Sequence, residues 1–289
     1  FYFNIHCIVH LFLKAFIKVA MFATTNNPTV SEALWPTLDS IITSQQMSFS
    51  RSTVITIHNN GESVAGNFNA FLIPAYLQVA DVNLFAVDWH LGSSMYTVGL
   101  SNAPQMGEIV ANFVNILVEH FAYGADQIEI VGVGLGGHVA GIAARNIQGQ
   151  IPRVVALDPS LHGWAYHPDK LTANDARVVE VLHTTAGLLG YDLPLGTLDF
   201  YPNGGSTQAG CATVSCSHIY SYAFYAESLT AEVNNGDKFV ATECANLAEA
   251  TSLSCEGESD IVFGGTELKD GQSGIYSFIT NFLPPFARG

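Results

Sequence analysis

The sequence predicts an α/β domain built on a mostly parallel sheet with helices on both faces. Two observations carry this. Short apolar segments alternate with longer segments of helical spacing, and some of the short ones are apolar almost throughout, as strands covered on both faces are. One strand-like segment then runs through a glycine-rich turn into small residues, residues 128–144, IEIVGVGLGGHVAGIAA. No internal repeat, low-complexity linker or composition break divides the chain, so residues 16–289 read as a single domain.

The elements follow in order. Residues 18–24 form a strand ended by Asn26, Asn27 and Pro28. Residues 52–58 (STVITIH) are β-branched and end in Asn59, Asn60 and Gly61. Residues 67–79 are a helix carrying Phe68, Phe71, Leu72, Ala75 and Leu77, and residues 82–88 (VNLFAVD, with Val82 first) are a strand of the fully buried type. Residues 104–121 have helical spacing in Ile109, Val110, Phe113, Ile116, Leu117 and Phe121. The strand IEIVGV and a helix running towards Arg145 come next, then apolar strands at 152–157 and 178–183. After Asp199 the chain turns repeatedly through Pro202, Asn203, Gly204 and Gly205.

Charge narrows the function classes. Ten Lys and Arg stand against 25 Asp and Glu, a formal charge of -15, which argues against a nucleic-acid partner because phosphate binding needs a basic face. The acidic residues are spread out and read as a solubilising surface. The opening segment FYFNIHCIVHLFLKAFIKVA is broken by Asn4, His6, His10, Lys14 and Lys18, too often to span a bilayer. Residues 1–15 read as the remnant of a signal or pro-segment, or as a mistranslated gene start, with Cys7 left unpaired. Cys211 and Cys216, and Cys244 and Cys255, are two near pairs, open at this point to either short disulfide loops or free thiols. Without a CxxC and with histidines scattered, no metal and no cofactor is expected.

The turn itself is the informative motif. A nucleophile elbow, G-x-S-x-G, presents a serine from a strained strand-to-helix turn. Gly132, Val133, Gly134, Leu135 and Gly136 occupy the five places here, so glycine stands where the attacking oxygen belongs. A phosphate-binding loop is the competing reading, but neither G-x-G-x-x-G with a following acidic residue nor GK[ST] is met. Further along, Asp158 ends a buried-type strand and His218 follows a cysteine loop, in the order nucleophile, acid, histidine.

Taken with FAVDW (85–89), ALDP, VEVLHT (179–184), GTLDFYPNGG (196–205), CSH and the closing GIYSFITNFLPPFA, these residues resemble the animal pancreatic-type lipases and phospholipases A1, in particular the insect neutral-lipase branch, over about residues 16–289. The resemblance implies an α/β-hydrolase fold, secretion, disulfides Cys211–Cys216 and Cys244–Cys255, and an ester-hydrolase ancestry on acyl lipids. It carries triad roles to Asp158 and His218, with the serine lost at Gly134, and oxyanion-hole amides to Asn60 and Leu135. Two departures stand out. The family has His-Gly followed by Trp or Phe where this chain has His58, Asn59 and Asn60, so the loop bearing one oxyanion amide has changed. The lid is reduced to the few residues between Cys211 and Cys216. Insect yolk proteins resemble lipases and lack the active serine. The expectation is thus a secreted pseudoenzyme that binds an acyl lipid or other apolar ligand, or serves as a yolk-type store. The competing expectation is a weak ester hydrolase using water activated by His218.

Overall fold

The computed structural model describes residues 18–22 and 31–289. Residues 1–15, with Cys7, and residues 26–28 lie outside the described residues. The described strands are β1 Lys18–Phe22, β2 Glu32–Leu34, β3 Thr53–Ile57, β4 Asn83–Asp88, β5 Ile128–Val133, β6 Arg153–Leu157, β7 Val178–Leu182, β8 Leu198–Phe200, β9 Val240–Cys244, β10 Ile261–Val262 and β11 Gly274–Ser277. They join in an 11-stranded sheet of order β10-β9-β11-β8-β7-β6-β5-β3-β4-β1-β2. From β4 through β11 neighbouring strands run parallel, and antiparallel strands flank both ends.

The helices are α1 Leu38–Ile42, α2 Asn67–Val79, α3 His90–Ser93, α4 Tyr96–Phe121, α5 Leu135–Asn146, α6 Val214–Thr230 and α7 Leu247–Ser252. Because successive strand residues point to opposite faces, the core divides in two. Ile55, Ile57, Val154, Ala156 and Val181 pack on one face with α4 and α5. Val54, Val155, Leu157, Val178 and Leu182 pack on the other with α2 and α6. This is an α/β-hydrolase fold, with the doubly covered sheet that the apolar runs imply. Among the described residues no helix is long and apolar enough to cross a membrane.

Two elements differ from the sequence expectation. Helix α4 begins at Tyr96 rather than Pro104. A proline removes one backbone donor, and the buried Gly99, Ala103, Met106 and Val110 hold the helix on both sides of it. The stretch after Asp199 holds more regular structure than its turn residues suggest. Strand β8 is only three residues long. Helix α6 buries Ser221, Tyr222, Ala223, Phe224, Tyr225 and Ala226 in succession, so it lacks the one-sided apolar stripe that marks a surface helix.

Register positions the site. Ile57 pairs with Gly132, Val133 with Leu157, and Leu157 with Leu182. The carboxyl ends of β3, β5, β6 and β7 therefore line up along one edge of the sheet. The residues that follow them, Asn59, Gly134, Asp158, Thr184 and Thr185, all emerge there, where open α/β sheets place their sites.

Candidate active site and family

Gly134 alone joins β5 to α5, at φ 58° and ψ −119°. An L-residue is strained in that conformation by on the order of 1–3 kcal/mol, whereas glycine takes it freely. Its N–H donates to the Leu157 carbonyl at 3.1 Å, and its own carbonyl accepts from Ser160 N–H at 3.2 Å. The first turn of α5 lies directly on the end of β3, since a Cβ on Gly136 would fall 2.1 Å from the Ile57 carbonyl oxygen. The elbow backbone is complete without a nucleophile.

Asp158 follows β6, itself at φ 47°. Its buried carboxylate accepts at Oδ1 from Thr184 N–H (2.9 Å) and Thr185 N–H (2.8 Å), and at Oδ2 from the Thr185 hydroxyl and from His218 Nδ1 (2.7 Å). Burial pushes the Asp158 carboxyl up, but the His218 partner and these donors outweigh it and hold it below the ordinary aspartate range. His218 stands in the first turns of α6, whose N-terminus Thr213 caps by accepting from Cys216 N–H at 3.2 Å. The bond to Asp158 places the imidazole proton on Nδ1 and leaves Nε2 as an acceptor.

That acceptor is occupied by Asn59, whose Nδ2 donates to His218 Nε2 at 3.1 Å. Asn59 Oδ1 accepts from Asn60 N–H at 2.8 Å and from Leu135 N–H at 3.0 Å. These are the two amides assigned to the oxyanion hole. The network fixes the orientation of the carboxamide, because the reversed group would aim its NH₂ at two N–H donors. His58 fixes the loop: its Nδ1–H donates to the Asn59 carbonyl at 2.7 Å and its Nε2 accepts from Trp89 N–H at 3.2 Å. The Trp89 indole N–H returns to the His58 carbonyl at 2.9 Å.

The structure thus brings Gly134, Asp158, His218, Asn60 and Leu135 together. It adds Thr184 and Thr185, which the sequence reading did not single out, and gives a role to Asn59, which that reading named only as part of the changed oxyanion loop. Thr184 and Thr185 orient Asp158, and Asn59 fills the centre. Ser217 is turned away, accepting from Gln208 N–H at 3.0 Å. A cleft of about 480 Å³ opens over the centre, walled by Asn59, Tyr96, Leu189, His218, Ile219 and Tyr222. The disulfides Cys211–Cys216 and Cys244–Cys255 are both formed, the first closing the short loop expected in place of a lid.

A family model described as Lipase matches residues 12–264. Inactive pancreatic lipase-related protein 1 of Mus musculus is 32% identical over 260 residues, 80% of this chain and 54% of that protein. Pancreatic lipase-related protein 3 of Homo sapiens is 30% identical, with 80% of this chain and 54% of that protein covered. Pancreatic triacylglycerol lipase of Cavia porcellus is 31% identical, with 80% and 55% covered. The chain spans about half the length of the curated relatives it matches, and those relatives include proteins named inactive beside proteins named lipases. On the extent of that match, and with the strand order and elbow described above, the chain belongs to the lipase family.

Proposed function

We propose that this chain is a secreted pseudoenzyme of its family that performs no serine-type acyl transfer and holds an acyl lipid or other apolar ligand in its open cleft, or serves as a yolk-type store. The supporting observation is the position of Gly134, where glycine occupies the nucleophile's place and the Asn59 carboxamide lies against it. Loss of a triad nucleophile lowers kcat by about 10⁶, and each missing oxyanion donor by a further ~10²–10³. The two disulfides support secretion, since such bonds persist in oxidising compartments. The insect branch and the yolk-protein analogy rest on sequence resemblance.

The retained Asp158–His218 pair favours a second reading, weak ester hydrolysis by water that His218 deprotonates. One experiment separates the two. The purified protein and its His218→Ala variant are assayed on short- and long-chain acyl esters and a phospholipid, and the native protein is extracted for lipid. Silence of both proteins is the expected result. Stoichiometric lipid in the extract then assigns binding, and its absence assigns storage. Turnover by the native protein that vanishes in His218→Ala overturns the pseudoenzyme reading.

A further inference from the structure

We infer that Asn59 is an internal ligand of the reacting centre, so that this site is closed by two coupled residues rather than by loss of the serine alone. The inference rests on the pseudoenzyme reading and goes beyond it. In an acyl-transfer site the carbonyl oxygen of the substrate sits between two backbone amides, and the histidine faces the group that leaves. The Asn59 carboxamide occupies both places at once. Its C=O lies between Asn60 N–H and Leu135 N–H, and its NH₂ faces His218 Nε2. The three bonds are each of ordinary length, and no donor or acceptor of the centre is left for a substrate carbonyl.

The same group excludes a nucleophile. A Cβ on Gly134 would fall 2.3 Å from Asn59 Cγ, 2.4 Å from Oδ1 and 2.5 Å from Nδ2, all far inside van der Waals contact. A serine at 134 and the observed position of Asn59 cannot coexist. The side chain has to leave, breaking all three bonds. Nor is Asn59 free to drift, since His58 is fully buried and holds the Asn59 carbonyl through Nδ1 while Trp89 holds His58. Glycine at 134 is therefore the partner of asparagine at 59. One consequence concerns ligand class: the cleft can take the hydrocarbon part of a molecule, while the place of an ester carbonyl is already filled.

The test compares native protein, Gly134→Ser, Asn59→Ala and the double variant on a p-nitrophenyl butyrate assay and on labelling by a fluorophosphonate, with thermal melts to establish folding. The double variant is expected to hydrolyse the ester and take the label. Gly134→Ser alone should fall short of it by about 10²-fold or more, because the displaced Asn59 side chain, held at its backbone carbonyl by His58, stays beside the two amides and competes with a substrate carbonyl for them. Gly134→Ser as active as the double variant, or a folded double variant that neither turns over nor labels, overturns the inference. Hydrogen exchange adds a readout independent of turnover. The Leu135 amide should be protected in the native protein and lose protection in Asn59→Ala, and equal protection in the two overturns the inference. Failure of the pseudoenzyme reading looks different, since it requires native turnover that depends on His218.

Discussion

The carboxamide of Asn59 takes the space in front of Gly134, at distances that leave no room for even a methyl group on residue 134. This relationship has a thermodynamic consequence separate from activity. Gly134→Ser should lower unfolding free energy by on the order of 2 kcal/mol or more, through backbone strain at φ 58° and displacement of Asn59. Asn59→Ala should lower it by about 1–3 kcal/mol through lost hydrogen bonds. The double variant should be more stable than the sum of these losses predicts, with a coupling of about 0.5–3 kcal/mol, because the clash is removed. Urea unfolding of the four proteins checks it; strict additivity would show that the two side chains do not compete for space.

Asp158 should matter for stability even without catalysis. Its carboxylate is buried and satisfied by two backbone amides, a threonine hydroxyl and His218. Asp158→Ala should cost about 3 kcal/mol or more, as breaking a buried pair does. The Asp158 carboxyl titrates lower in the folded protein than in the unfolded chain. Its contribution is therefore fully present above about pH 4, the unfolded value, and is lost as pH falls through the folded value beneath it. Acid unfolding followed by circular dichroism should show a weaker pH dependence in Asp158→Ala over that low range.

His138 supplies a second acid-sensitive element, at higher pH. It is fully buried, stacks on Trp164 at 3.9 Å, and is satisfied as the neutral ring. Its Nε2–H donates to the Ser160 carbonyl at 2.7 Å and its Nδ1 accepts from Leu171 N–H at 3.2 Å. Burial lowers its pKa to about 3; the Ser160 bond opposes this, and His167, Arg145 and Lys170 reinforce it. The unfolded chain binds this proton near pH 6.5 and the folded one does not, so stability is lost as pH falls below about 6.5. Between about pH 7 and pH 5 the loss should come to about 2 kcal/mol. Denaturant titrations at the two values, with His138→Gln as the control that lacks the titration, measure it.

The disulfides should contribute unequally. They join residues 5 and 11 apart in sequence, Cys211–Cys216 and Cys244–Cys255 respectively. Constraint of the unfolded chain predicts about 2 kcal/mol for the first and about 3 kcal/mol for the second. Paired Cys→Ser variants in urea give the comparison. A larger loss at Cys211–Cys216 would point to a native-state role for that short loop, such as holding the start of α6 and His218.

Most strands were legible because a strand buried on both faces is apolar almost throughout, as 82–88, 128–133 and 152–157 are apart from Asn83, Asp88, Glu129 and Arg153. The elbow was legible because only small residues let α5 lie so close on the sheet: Gly136 meets Ile57 at the end of β3, Gly132 of β5 meets Gly136, and Gly137 meets Ala156 and Pro159 at the end of β6. Helix α6 was not, because it is buried on several sides and its pattern has no period to read. The early start of α4 was masked by Pro104, a residue that usually marks a boundary but here sits inside a helix held by tertiary packing.

By itself the sequence determined the alternation of strands and helices, the order Gly134, Asp158, His218, and the absence of an oxygen at the elbow, since each is written in local pattern or in a single residue type. Only the tertiary structure decided what stands in that oxygen's place. Asn59 lies 76 residues from Leu135 and 159 from His218, and its sequence neighbours mark a changed loop but not these partners. It meets them because β3 lies beside β5 in parallel register and both end at the same edge of the sheet. A hydrogen bond between a loop, an elbow and a helix depends on that register, and register is fixed by the packing of the whole sheet.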